Sequence, residues 1–195
     1  MDRALSHAEL ICRWMMRLGG AMILVIAFVI AAEIVMRRFF GITLGGVDEI
    51  SGQVLAVSST WAFAFALLQK AHVRIDTLYL ALPRRLRPWL DVIALLVLGA
   101  FVGLLTWYAA DMLRFTFAFG ARSMSLLSTP MWIPQGAWVV GLVAFFLVIA
   151  LLLLRTLLAL FAGDRDTALR LAGLASVEDE LKDELADLRR RKSGS

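Results

Sequence analysis

Few side chains in this sequence could carry catalysis, metal binding or cofactor binding. His7 and His72 are the two histidines and Cys12 is the single cysteine, which excludes an intramolecular disulfide and a zinc or redox site of the CxxC type. Because neither histidine lies in an apolar stretch, a haem held between two membrane helices is excluded as well. No nucleophile–base pair or glycine-rich phosphate loop is present. We therefore expect a protein that is not an enzyme and that binds no cofactor or metal.

Glu33 is the residue whose position suggests proton transfer. It is the only charge in the apolar stretch between Leu18 and Met36, and an acid inside a membrane helix is a functional candidate by default. Arg37 follows four residues later, at the spacing of a helical ion pair, and Arg38 is next to it. Two hypotheses follow. Either Glu33 forms a structural pair with Arg37 near the end of a span, or it carries protons in a self-sufficient dimeric exporter.

Composition indicates that these residues belong to a membrane protein. Hydrophobic residues make up 61% of the 195 positions and the mean hydropathy is +0.79, whereas soluble domains are about 45–50% apolar. Crossing about 30 Å of hydrocarbon takes roughly 20 apolar residues in a helix. Four stretches meet that requirement: 18–36, 50–68, 90–110 and 136–154. The sequence therefore predicts an all-α integral membrane protein with four transmembrane helices.

The predicted domains follow from these spans. A four-helix membrane domain covers 18–161, and Gly120 is expected to stop the helix that continues past span three. Ahead of this domain, residues 1–17 form an amphipathic segment that predicts either an interfacial helix or a simple extension of the first span. After it, residues 162–195 change to a charged pattern with a narrow apolar stripe, typical of a cytoplasmic amphipathic helix. All four prolines fall between the spans, which supports these boundaries.

The distribution of basic residues predicts the orientation. The two termini and the connection between spans two and three share one side, and that side holds sixteen of the twenty lysines and arginines. The positive-inside rule assigns it to the cytoplasm. The connection itself, residues 69–89, combines leucines with arginines and is expected to lie on membrane lipids. The net charge of +4 therefore indicates orientation and lipid contact, and no nucleic-acid partner.

The apolar spans carry few polar side chains of their own. Ser58, Ser59 and Thr60 form the densest polar group, and hydroxyls in membrane helices usually bond to a neighbouring helix or to their own backbone. Trp61 lies beside them in the middle of span two and is expected to pack against another helix. A solute path normally leaves charged residues or broken helices near the midplane, and the spans lack both. We infer that the protein supports transport that something else carries out.

A set of short motifs in fixed order resembles a known family. The order is Arg38-Phe39-Phe40-Gly41, then Asp48-Glu49-Ile50, then Trp61, then His72-Val73-Arg74-Ile75-Asp76 and finally Leu82-Pro83. Together with the four spans, this order resembles the small permease subunit of TRAP (tripartite ATP-independent periplasmic) transporters. One departure is Gly45-Gly46, where the family commonly has a tryptophan before the acid pair.

The resemblance implies a small four-helix subunit of the bacterial inner membrane, with both termini in the cytoplasm as the charge distribution indicates. It would lie beside a large permease subunit that carries substrate and sodium. A periplasmic binding protein would deliver the substrate, typically an organic acid. The small subunit would hold the scaffold of the large one in the membrane.

The same motifs supply the candidate partner-interface or structural residues, which are Arg38, Asp48, Glu49, Trp61, His72, Arg74 and Asp76. Two interpretations of Asp48-Glu49 stay open. The pair is either the N-cap of span two or a contact with the large subunit or the binding protein on the outer face. His72, Arg74 and Asp76 are expected to form a structural network at the inner interface. The basic partner of Asp76 stays open among Arg74, Arg84 and Arg85.

Overall fold

The four predicted spans are part of four long helices. The structure, a computed structural model, describes residues 2–69, 87–124 and 127–162. Its helices are α1 (Asp2–Phe40), α2 (Val47–Leu68), α3 (Arg87–Phe119) and α4 (Trp132–Phe161). All four are long and apolar enough to cross a membrane, and the described residues contain no β-strand. The prediction of an all-α protein with four membrane-spanning helices is confirmed.

Most of these helices extend well beyond the apolar stretch that predicts them. At 1.5 Å per residue, α1 is about 58 Å long, compared with about 30 Å of hydrocarbon. It runs without a break from Asp2 to Phe40, so residues 2–17 continue the first span as one helix. α2 has 22 residues, so its length is the closest to the roughly 20 residues that a membrane crossing requires. The predicted tail helix, in 163–195, and most of the basic connection, in 70–86, lie outside the described residues.

The chain forms two compact units. The larger unit consists of Met1–His72 and Val97–Leu151, and so includes α1, α2 and most of α3 and α4. The smaller unit consists of Val73–Leu96 and Leu152–Ser195, of which the structure describes the start of α3 and the end of α4. All the candidate residues that the structure describes lie in the larger unit.

In the described part of the smaller unit, two charged side chains are buried. Asp91 is 2% exposed and Arg155 is 8% exposed, and each takes part in a hydrogen bond or an electrostatic interaction. Charged side chains are almost never fully buried unless they are paired. Asp91 and Arg155 are therefore buried and engaged, although the sequence places both near the ends of apolar stretches.

In the larger unit, α1 packs lengthwise against α2. A stripe of less exposed residues recurs along α1 at alternating spacings of four and three: Ala8, Cys12, Met15, Gly19, Met22, Ile26, Val29, Glu33 and Met36. This spacing is that of helices which cross at a small angle and stay in contact over several turns. On the opposite side of α1, Leu24 is 64% exposed and Phe28 is 75% exposed. α1 thus has one face for the bundle and one for lipid or a partner.

A glycine in the left-handed conformation ends α3. Gly120 has φ +58° and follows Phe119, the last helical residue. Its N–H donates to the Phe117 carbonyl at 3.4 Å, and the Ala121 N–H donates to the Thr116 carbonyl at 3.1 Å. These two bonds form a Schellman motif, which satisfies the last carbonyls of a helix. The prediction that Gly120 stops the helix is confirmed.

Candidate functional site

The hydroxyl groups in the middle of α2 donate either to α1 or to α2 itself. Ser58 Oγ donates to the Gly19 carbonyl of α1 at 3.0 Å. The two backbones are so close here that a Cβ at Gly19 would lie 3.2 Å from Ser58 Cα. Ser59 and Thr60 donate to carbonyls about one turn earlier in α2, at 2.7 and 2.9 Å. The prediction that these hydroxyls bond to a neighbouring helix or to their own backbone is confirmed.

Trp61 joins α2 to α4. Its indole Nε1–H donates to the Ala137 carbonyl at 2.9 Å. About one turn further along α4, a Cβ at Gly141 would lie 2.5 Å from Thr60 Oγ1 and 2.6 Å from Trp61 Cδ1. Small residues allow membrane helices to approach this closely. The prediction that Trp61 packs against another helix is confirmed, and Gly141 is the residue that makes the approach possible.

α3 approaches α4 through two glycines that were not predicted. A Cβ at Gly103 would lie 2.9 Å from Phe146 Cε2, and a Cβ at Gly99 would lie 3.2 Å from Ile149 Cγ2. The spacing Gly99-x-x-x-Gly103 is the small-residue motif of packed membrane helices, so the sequence did contain a signal for this contact. Within the larger unit, α4 is therefore packed by α2 and by α3, while α1 is packed by α2.

The acid pair lies in the first turn of α2 and does not cap it. The N-cap residue is Gly46, with φ +84°, and no side-chain cap hydrogen bond is formed there. The interpretation of Asp48-Glu49 as the N-cap is therefore wrong. The two acids are the second and third helical residues, where negative charge still stabilises a helix N-terminus. Asp48 is exposed, and Glu49 Oε1 accepts a hydrogen bond from Gln53 Nε2 at 2.8 Å.

The connections α1–α2 and α3–α4 meet on one side of the larger unit. A Cβ at Gly46 would overlap the side chain of Leu127, so the two connections are in contact. Successive crossings by four helices require this arrangement. Arg38, Asp48 and Arg122 consequently lie at the same end of the bundle.

A known protein family matches most of the chain. Residues 26–159 match the family described as tripartite ATP-independent periplasmic transporters, DctQ component. The chain belongs to the DctQ family. The match begins within α1 and ends near the end of α4, so it includes the contact that Trp61 and Gly141 make between α2 and α4. Comparison with curated proteins and with solved structures gave no significant match.

Membership of the DctQ family makes the chain the small membrane component of a TRAP transporter, as the motifs predict. The family is one of transporter components and not of enzymes. Its four apolar helices make it a multi-pass membrane protein. Within the described ranges 2–69, 87–124 and 127–162, no group of His, Cys, Asp and Glu side chains could hold a metal ion.

Glu33 of this DctQ protein is paired within its own helix. Arg37 Nη2 lies 2.6 Å from Glu33 Oε1, and the side chains are 59% and 8% exposed respectively. The predicted ion pair is confirmed. The neighbouring Arg38 is exposed, and among the described residues the structure shows no ion pair for it. The pairing of Glu33 and the DctQ family match together favour the structural hypothesis over the self-sufficient exporter.

Three of the candidate residues, His72, Arg74 and Asp76, lie outside the described residues. The structural network at the inner interface, including the choice of a basic partner for Asp76, stays a prediction. The described candidates differ in position. Trp61 is a helix contact within the bundle, and Glu49 is half-buried and bonded to Gln53. Arg38 and Asp48 lie on the surface, where another protein could reach them.

Proposed function

We propose that this DctQ subunit holds the large, substrate-carrying subunit of a TRAP transporter in the inner membrane. The large subunit moves an organic acid, driven by a sodium gradient, after a periplasmic binding protein delivers it. One observation carries the proposal: two polar side chains in the middle of α2 hold it to its neighbours, with Ser58 bonded to α1 and Trp61 bonded to α4. Helices fixed to one another in this way suit a static subunit.

The outward faces of the helices support a partner inside the membrane. Large apolar side chains are exposed along α1 and α3, among them Leu24, Phe28, Phe39, Phe101, Trp107, Tyr108, Phe115 and Phe119. Such surfaces pack equally well against lipid chains and against apolar helices. A large subunit seated on them would gain a wider fixed base against which its own transport domain moves.

Arg38 and Asp48 are our choice for the polar part of this interface. Both side chains are exposed, and both lie at the end of the bundle where α1 meets α2. Asp48 is not needed as a cap, because Gly46 occupies that position. Charges at the rim of an interface fix the register of two proteins more than they add affinity.

Purification in mild detergent tests the assembly. From cells that also express the large subunit, the tagged chain should recover that polytopic partner in about equal amount. Replacing Arg38 and Asp48 together with alanine should lower the recovery about two- to fivefold, the effect of losing roughly 0.5–1 kcal/mol of exposed charge contacts. Asp111→Ala, which removes an exposed acid of α3, is the matched control. Recovery of a homodimer that binds cationic drugs would overturn the proposal.

We infer that both termini lie in the cytoplasm. Four crossings put the two termini on one side, and the basic residues are concentrated there, sixteen of twenty. The connection from Gly120 to Met131 would then face the periplasm, where a binding protein delivers its substrate. This orientation also puts Arg38 and Asp48 at the outer end of the bundle.

Cysteine labelling tests the orientation. In a Cys12→Ala background, Met124→Cys should react with a membrane-impermeant maleimide in intact cells, because Met124 is fully exposed in the α3–α4 connection. Ser176→Cys should react only after the inner face of the membrane has been opened. The reverse pattern would show that the distribution of basic residues assigns the wrong side to the cytoplasm.

A further inference from the structure

We propose that the N-terminal part of α1 binds the headgroup of an anionic phospholipid through Arg13, Trp14 and Arg17. This site is separate from the scaffolding role and does not depend on it. Trp14 is 56% exposed, and Leu10 and Leu18 beside it are 55% and 52% exposed. The surface thus combines two cations, one indole ring and apolar side chains on one side of a single helix.

The two arginines are spaced to share one anion. Residues four apart are neighbours on a helix, and like charges at this spacing repel each other. Arg17 lies with its guanidinium carbon 5.7 Å from the centroid of the Trp14 ring, and among the described residues the structure shows no ion pair for it. A phosphate oxygen between the two guanidinium groups would replace this repulsion with charge-assisted hydrogen bonds, for which the planar donor geometry of arginine is suited.

Arg13 is paired with an acid, but this pair does not use all the hydrogen-bond donors of its guanidinium group. Its Nη2 donates to Glu9 Oε1 at 2.7 Å, and the two side chains are 45% and 40% exposed. A guanidinium group has five N–H donors, so several remain for a second anion. Glu9 also lowers the net charge of the site, which makes it a competitor for the phosphate.

The depth of these arginines favours a lipid counter-ion. Ser58 bonds to the Gly19 carbonyl, ten residues before Leu68, the last residue of α2. α1 and α2 run antiparallel, so positions along the two helices can be compared. Along the helix axis, Arg17 lies about 12 Å before the C-terminal end of α2, and Arg13 lies about 6 Å before it. Cations beside the apolar part of a span are costly unless they are paired or reach the interface. A phospholipid phosphate drawn to the two arginines supplies that pairing.

The apolar surroundings indicate a lipid and not a free anion. Acyl chains attached to the same phosphate would lie along Leu18 and the exposed face of α1 beyond it, where Leu24 is 64% exposed. An indole ring is favourable at the headgroup level, because one edge is polar and the rest apolar. A soluble phosphate would use the arginines and leave these apolar contacts unmade.

Fluorescence quenching tests the site in the full chain. The chain is reconstituted in phosphatidylcholine bilayers that contain either brominated phosphatidylglycerol or brominated phosphatidylcholine. The Trp14 signal is obtained by subtracting the Trp14→Phe variant from the wild type, since six tryptophans are present. We expect half-quenching of Trp14 at a mole fraction of phosphatidylglycerol at least about fivefold lower than that of phosphatidylcholine, the preference typical of one arginine near a membrane surface.

Variants identify the side chains that cause the preference for phosphatidylglycerol over phosphatidylcholine. Arg17→Gln should reduce the preference about fivefold, whereas Glu9→Gln should increase it because the competing carboxylate is gone. Arg114→Gln, which removes an exposed arginine of α3, should leave the preference unchanged. Equal quenching of the wild type by the two lipids, or a preference that Arg17→Gln leaves undiminished, would overturn the proposal. So would loss of quenching by both lipids when the chain is in complex with its large subunit, since a protein would then cover the site.

Discussion

Gly141→Leu should lower the apparent melting temperature of the purified chain in mild detergent by about 3–10 °C, the shift that corresponds to roughly 1–3 kcal/mol of overpacking in a protein of this size. Already the first added carbon, Cβ, would lie 2.5 Å from Thr60 Oγ1 and 2.6 Å from Trp61 Cδ1. α2 and α4 would have to move apart, and the hydrogen bond from Trp61 Nε1–H to the Ala137 carbonyl would be lost with them. Such bonds contribute about 0.6 kcal/mol in membrane proteins.

Gly20→Leu is the matched control for this experiment. It makes the same change in another helix of the larger unit, but a Cβ at Gly20 would meet no other atom within 4 Å. Leucine also favours a helix more than glycine does, so the melting temperature should stay the same or rise. If both variants melted like the wild type, or if both were destabilised equally, the result would contradict a close approach of α2 and α4 at Gly141.

The number of spans could be predicted because it depends mainly on one physical requirement, an apolar stretch long enough to cross the hydrocarbon. Long runs without charge, such as 50–68, are needed to cross the hydrocarbon, and the cost of placing charges there marks their ends. The Glu33–Arg37 pair was predictable for a similar reason, since its partners are four residues apart in one helix and need no knowledge of the tertiary structure. The motif order that resembles TRAP small subunits also led to the right family.

Contacts between helices could not be predicted in the same way. A glycine such as Gly141 is useful only because Thr60 and Trp61 lie opposite it, and the sequence does not give the relative position of two helices. The hydroxyls of α2 illustrate the limit. Their engagement was predicted, but the acceptor of Ser58, the Gly19 carbonyl in another helix, was not.

The error at the start of α2 has a local cause. Asp is among the preferred N-cap residues, so Asp48 was a reasonable choice from the sequence. Gly46 adopts a left-handed conformation with φ +84°, which only glycine does without strain. That conformation lets the helix begin at Val47, one residue before the acid pair, and leaves Asp48 free on the surface.

The buried charges of the smaller unit show a further limit. Asp91 and Arg155 each stand near the end of an apolar stretch, where the sequence suggests a membrane–water interface. Both are nevertheless buried. Burial of a residue near a helix end depends on what the rest of the chain places over it, and hydropathy does not record that.

The second prediction with a large expected effect concerns solute uptake with and without this chain. If the chain is a static subunit, it provides no route for a solute, because Ser58 and Trp61 of α2 serve helix packing and Glu33 is paired with Arg37. Substrate and ion sites would then lie in the large subunit. Removing the small subunit should nevertheless stop uptake, because the transport domain would lose the base against which it moves.

Reconstituted uptake is the most direct measurement. Liposomes that contain this chain alone, with a sodium gradient, should take up no more of the radiolabelled organic acid held by the cognate binding protein than empty liposomes do. Adding the large subunit and the binding protein should produce sodium-dependent uptake, and omitting this chain from that mixture should return it to background. Sodium-driven uptake by the isolated chain, or full uptake by the other two components without it, would contradict the proposed role.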